Sequence, residues 1–273
     1  MKIVPVNLYV LYFKTMATLY DEITLGYTAC GGHKAGKAYS FLPTDGSGDF
    51  TVSRTTSKVI TNKDGNLQTI AVNVPPVTWE NGEPVIQPEG QTTQLLTRPI
   101  SFDHADWDKS GATVTSGFPA PAVDGSGNVL LDAYKLVATV NNGYIRLATP
   151  KAIINGSTHA NGIYIKRVTG SGVVNLIGIN GSDIPKTITT SWTKISDARA
   201  ATSTSGQIGI KLATAGDEVM IYYGQMEVGG SATSSVYIDK TLEGAQRTRN
   251  ADLVTNALTG HKSIVLNDKV KFY

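Results

Sequence analysis

The sequence predicts an all-β protein: a jelly-roll-like antiparallel β-sandwich with an extended N-terminal arm and a loop-rich lead-in. Three observations predict it. Short segments rich in β-branched and aromatic residues, punctuated by Gly, Asn and Ser, recur from about Phe50 onward without a helical period. In Gly206–Leu212 the residues Ile208, Ile210 and Leu212 alternate with Gln207 and Lys211, the mark of a strand with one buried face. Glu218–Val228 is apolar on both faces, which suits a central strand covered from each side.

Strict alternation along that central strand puts Val219, Ile221, Tyr223 and Gln225 on one face, and Met220, Tyr222, Gly224 and Met226 on the other. Further strands are expected at 112–115, 133–140, 144–148, 162–168, 173–179, 186–196 and 207–213. With Glu218–Val228 they reach the count of a jelly roll. Asn141-Asn142-Gly143 is the strongest hairpin signal among them. Ile163 and Ile165 should face the core, and Tyr164 and Lys166 the other way.

Taken in order, residues 1–36 form an N-terminal arm. Its first residues have the flavour of a signal peptide, and Ala29-Cys30-Gly31 mimics a lipoprotein cleavage site. Asp21-Glu22 would then lie inside the removed segment, so an uncleaved β-rich arm is the plainer reading. Such an apolar arm needs cover, from another chain or from its own sheet. Residues 37–99 form the lead-in, with a hairpin turning at Asp64-Gly65. Prolines at 75, 76, 84 and 88 argue against regular sheet there. The sandwich spans 100–252, and 253–273 reads as two short C-terminal strands.

Composition narrows the function. The net charge of +2 comes with no basic cluster, so nucleic-acid binding is not expected. No apolar run is long enough for a membrane span. A single cysteine, Cys30, excludes an intramolecular disulfide framework. His33, His104, His159 and His261 are dispersed and read as surface residues, so no metal ligand and no cofactor is assigned. Asp103, Asp106 and Asp108 around Trp107 could form a glycosidase-like active site or a calcium site, but read better as loop acids around a core anchor. Asp45-Gly46-Ser47-Gly48-Asp49 and Asp124-Gly125-Ser126-Gly127-Asn128 read as glycine-rich turns rather than calcium loops. No hydrolase, phosphate-loop or kinase motif occurs, and no catalytic residue is assigned. Trp79, Tyr164, Tyr222 and Trp192 are the available sugar platforms. Trp192 is expected to be partly buried, leaving Trp79, Tyr164 and Tyr222 as possible glycan contacts.

Gln225-Met226-Glu227, Ser231-Ala232-Thr233-Ser234, Tyr237-Ile238 and Thr248-Arg249-Asn250-Ala251-Asp252 together resemble the closing motif of a carbohydrate-binding-module-like sandwich found in phage virion proteins. Upstream, the run through Thr51-Val52-Ser53-Arg54, the segment Pro88-Glu89-Gly90 and the aromatic pair Phe102 and Trp107 are similar to the family's other landmarks. The resemblance implies a non-enzymatic component of the virion exterior, a tail or head fibre or its attachment protein. It also implies other virion proteins as partners, a homotrimer, and an exposed sandwich that contacts host-surface glycans. A dedicated glycan-binding receptor module is the alternative, and a polysaccharide depolymerase a more distant one.

Overall fold

The computed structural model describes residues 31–34, 37–40, 50–228 and 237–256. The arm before residue 31, Cys30, His261, the Asp45–Asp49 loop, residues 229–236 and the expected strands beyond residue 256 lie outside the described residues. The chain divides into two compact units, each discontinuous in sequence.

The larger unit contains the sandwich, whose seven-stranded and five-stranded sheets include β1 (Trp107–Ser110), β2 (Ala112–Phe118), β3 (Ala133–Ala138), β4 (Gly143–Leu147), β5 (Thr158–Thr169), β6 (Val174–Ile177), β7 (Asp183–Lys186), β8 (Thr193–Ala200), β9 (Gly209–Leu212) and β10 (Glu218–Val228). One sheet runs β2-β3-β10-β5-β8, with the short strand Thr92–Gln94 pairing β10 at Glu227 and Arg247–Arg249 pairing that short strand, and the other runs β7-β6-β9-β4-β1, all through antiparallel pairs. The chain crosses from sheet to sheet repeatedly, the habit of a jelly roll. Between the sheets lies one core: Leu136, Ile163, Ile165, Val219 and Ile221 from the first sheet meet Ile145, Leu176, Ile210 and Leu212 from the second, each fully buried. The all-β sandwich is therefore as the sequence predicts.

Two strands differ from expectation. Residues 186–196 are not one strand but the end of β7 and the start of β8, in different sheets. At the crossing Ser191 N–H donates to Thr189 Oγ1 (3.2 Å), a local turn that competes with extended pairing. β1 was not foreseen as a strand. It begins at Trp107, which with Phe102 forms an aromatic pair whose ring centroids are 4.7 Å apart in the core.

β10 departs from simple alternation. Ile163 pairs with Gly224 but Tyr164 with Tyr222, so Tyr223 is the extra residue of a bulge, at φ 45°. Beyond the bulge the faces exchange. Gly224 faces Trp107 and Leu96, and Met226 joins the inner core, whereas Tyr222 and Tyr223 both point to the outer face. There they are covered by a second cluster including Val59, Leu67, Ile100, Ala122, Tyr237 and Ile238. Val59 and Leu67 come from the hairpin of Lys58–Thr61 with Leu67–Ile70, which turns at Gly65 (φ 82°) as the Asp64-Gly65 signal predicts. Leu67 N–H donates to Pro121 O (2.8 Å) and Val123 N–H to Leu67 O (2.9 Å), which fixes the hairpin over the sheet.

The smaller unit is built from antiparallel pairs: Gly31–Lys34 with Lys37–Ser40, Phe50–Ser53 with Leu253–Asn256, and Val77–Glu80 with Glu83–Ile86. The last is a hairpin where prolines argued against regular sheet. Asn81 and Gly82 at φ 54° and 83° make its two-residue turn. Glu80 and Glu83 flank that turn, so the next pair, Trp79 and Pro84, falls at a non-hydrogen-bonded position where a missing N–H is tolerated. Val52, Val77, Ile86 and Val254 form this unit's core. Beside it Arg54 Nη1 donates to Asp252 Oδ1 at 2.5 Å, and both side chains are fully buried.

Removing one member of such a pair strands the other charge in low dielectric. Arg54→Ala should lower the unfolding free energy of this unit by about 3–5 kcal/mol, whereas Arg54→Met with Asp252→Asn, which keeps an acceptor for the buried Glu89 N–H (2.9 Å), should recover much of it. Denaturant melts of both variants provide the check.

Candidate functional site

The open part of the first sheet's outer face lies toward the edge strand β8. Tyr164 on β5 stands opposite Lys194 on β8, with the ammonium 5.6 Å from the ring centroid. One step along, Lys166 stands 5.1 Å from the Trp192 centroid. The pairs alternate, aromatic opposite cation and then cation opposite aromatic, because side chains on one face recur every second residue. Both distances fall within the range of a cation–π attraction. Tyr164 and Trp192 are partly exposed and border the second apolar cluster. Trp192 is thus partly buried against that cluster, as expected. Lys194 Nζ also donates to Gln225 Oε1.

Tyr222, the other expected contact on this sheet, pairs directly with Tyr164 but is fully buried, and its hydroxyl donates to Ile238 O (3.1 Å). Its ring is covered by the second cluster, so it offers no face to a ligand. Trp79 is partly exposed on its hairpin and belongs to the smaller unit. The Lys166–Trp192 pairing was missed in the sequence. The clue would have been the register of 162–168 against the strand after Trp192, which single-strand alternation does not supply.

Beneath this face lies a buried polar network built from the closing-motif residues. Thr92 Oγ1 donates to Glu227 Oε2 (2.9 Å) and Gln225 Nε2 to Glu227 Oε1. Gln94 Nε2 donates to Gly224 O (3.0 Å), and its Oε1 accepts from the N–H of Met226 (2.9 Å) and of Leu96 (3.2 Å). Desolvation pushes the Glu227 carboxyl above the usual range, against the pull of Gln225, Lys194, Thr92 and Arg249. Burial likewise raises the Tyr222 and Tyr223 hydroxyls.

The acids around Trp107 do not act together. Asp103 accepts from Tyr134 OH (2.8 Å), Asp106 from Thr97 Oγ1 (2.8 Å), and Asp108 lies 3.7 Å from Arg146 Nε. Asp124 accepts from the side-chain Nδ2 of Asn128 (3.0 Å) and from the N–H of Asn128 (2.9 Å) and Ser126 (2.8 Å), bonds that hold a turn and lower its pKa, the Asn128 side chain most. His159 is a correction: it is buried, not on the surface, with Nδ1 2.9 Å from Ser157 O. It begins the long β5, which extends four residues before the strand start read from sequence. His104 is at the surface, 3.2 Å from Asp106. Among the described residues, no group of three or more His, Cys, Asp or Glu is placed to hold a metal ion. No described helix is long and apolar enough to cross a membrane.

No protein-family model matches the chain, and no curated protein matches it. Solved structures do. The CBM22-1 xylan-binding domain of Xyn10C from Paenibacillus barcinonensis is 12% identical, covering 53% of this chain and 99% of that one, with a TM-score of 0.33. The carbohydrate-binding module CBM29-2, solved with cellulohexaose, is 13% identical over 52% of this chain and 94% of that one, with a TM-score of 0.36. Tailspike protein 4 of Bacteriophage CBA120 is 10% identical over 50% of this chain and 21% of that one, with a TM-score of 0.33. The fold assignment itself rests on the strand pairing and the shared core.

Glu227 gives a pH test. Above about pH 4.5 the unfolded chain releases this proton while the folded protein retains it, so stability falls as pH rises from there through the raised native value. Glu227→Gln removes the titrating group while its oxygen still accepts from Gln225 Nε2 and its NH2 can donate to Thr92 Oγ1, the reverse of the native bond. Thermal melts from pH 4 to 8 should lose a downward slope of up to about 1.4 kcal/mol per pH unit in the variant.

Proposed function

We propose that the sandwich is a non-catalytic glycan-recognition module. The observation that carries this reading is the pair of partly exposed rings, Tyr164 on β5 and Trp192 immediately before β8, side by side with Lys166 and Lys194 beside them. A pyranose offers an apolar C–H face for a ring and equatorial hydroxyls for nearby polar groups. A site on paired strands presents both without an ordering cost at binding.

A second reading concerns where the module is carried: an exterior fibre or fibre-attachment protein of a phage particle, trimeric and joined to other virion proteins. The observation that favours it is that the residues resembling the virion family are buried supports. Arg54, Glu89, Gln225, Glu227 and Asp252 hold segments together inside their units. What the chain has in common with that family is therefore architecture, while the sheet face carries recognition. Gold-labelled antibody on intact particles tests the location, and the reading predicts label on the exterior.

An array of neutral and acidic saccharides tests recognition. Tyr164→Ala and Trp192→Ala should each weaken retained binding by about tenfold or more, or about 1.4 kcal/mol. No retention, or binding unchanged in the double variant, would overturn the reading.

A further inference from the structure

We propose that the folded chain joins Lys194 to Gln225 through an intramolecular isopeptide bond, Nζ to Cδ, with Glu227 carrying the proton. The bond is independent of what the sheet face binds.

The three groups that such a reaction needs, an amine, a carboxamide and a carboxyl, meet in line across the first sheet. β5 lies between β8 and β10, with Gly162 opposite both Ser196 and Gln225, and Tyr164 opposite Lys194. Lys194 must therefore cross β5 diagonally to reach Gln225. Gly162 leaves it room, since a Cβ at that position would lie 3.2 Å from Lys194 Cε. The crossing ends with Nζ donating to Gln225 Oε1, while Gln225 Nε2 donates to Glu227 Oε1. The amine thus sits at the carbonyl end of the carboxamide, and Glu227 touches the nitrogen that has to leave. Thr92 Oγ1 donates to the other Glu227 oxygen (2.9 Å) and holds the carboxyl in place.

Gln225 and Glu227 are 0% and 1% exposed, which keeps water from competing for the carbonyl carbon. Burial also leads the Glu227 carboxyl to hold its proton above the usual carboxylate range, against the charges of Lys194 and Arg249. In surroundings of this kind desolvation favours the uncharged forms of an amine and a carboxyl, a nucleophile beside an acid. Fixing both reactants on paired strands removes the entropy cost of bringing them together. In the step itself, the lone pair of Nζ forms the bond to Cδ. The Cδ–Nε2 bond breaks with its electron pair on Nε2, which takes the Glu227 proton and departs as ammonia. The Glu227 carboxylate then takes the proton that Nζ sheds. Glu227 ends as it began, the chain loses one ammonia, and no oxidant or reductant is consumed. The product ties the edge strand β8 to the central strand β10 across β5.

Mass spectrometry of the full folded chain tests this. The intact protein should be lighter than its sequence by one ammonia. Trypsin should leave Lys194 uncut and release residues 187–199 joined to residues 212–240. Lys194→Arg keeps a cation and a donor but not the amine, and Glu227→Gln keeps hydrogen-bonding groups but not the proton. Each variant should show its full mass and yield 212–240 as a separate linear peptide. Full mass in the native protein would overturn the proposal. So would loss of ammonia with 212–240 released linear, as from a succinimide at an Asn-Gly pair. The same joined peptides formed undiminished in Glu227→Gln would overturn the role given to Glu227.

Discussion

The bulge in β10 is the constraint on which the rest of the larger unit depends. A central strand has two faces to cover, and strict alternation would have sent Tyr222 and Tyr223 to opposite sides. With Tyr223 at φ 45° both rings turn outward, and Gly224 is left facing Trp107 and Leu96. That backbone conformation is costly for an aromatic residue, of the order of 1–3 kcal/mol. It is offset by burying two tyrosines under the hairpin of residues 58–70 and the segment around Tyr237. The outer face is thereby split into a covered half and an open half. Tyr164 and Trp192 stand at the border, which is why they are accessible and yet rigid.

The residues that resemble the virion sandwiches and the face proposed for recognition are different parts of this chain. Gln225 and Glu227 carry the resemblance to virion sandwiches, but their side chains are buried and hydrogen-bonded to neighbouring segments. Such residues are constrained by the fold rather than by a ligand, since an unsatisfied buried polar group costs more than a surface contact gains. Lys166 and Trp192 belong to no landmark of that resemblance. A surface pairing needs only the right register, so it can change while the supports beneath it stay fixed.

What the sequence made legible follows the same division. Alternation identified Ile208, Ile210 and Leu212 as a buried row, and Ile163 and Ile165 against Tyr164 and Lys166, because a regular strand between two sheets obeys a period of two. The double-sided burial of Glu218–Val228 was equally plain. The bulge was not, because one extra residue leaves no compositional trace, and with it went the true faces of Tyr223 and Gln225. The break within 186–196 was hidden since Thr and Ile suit both a strand and a crossing. The hairpin at Val77–Ile86 was hidden by Pro84, whose ring is harmless only at that register. Of the site, single rings could be named from sequence, but pairing Lys166 with Trp192 required knowing which strands are neighbours.

Hydroxyl-radical footprinting read by mass spectrometry tests the divided face most directly. The account predicts oxidation of Tyr164 and Trp192 in the native protein, with Tyr222 and Tyr223 protected until the chain unfolds. Labelling of Tyr222 or Tyr223 at a rate similar to that of Tyr164 would contradict it, because the second apolar cluster would then not cover the bulge.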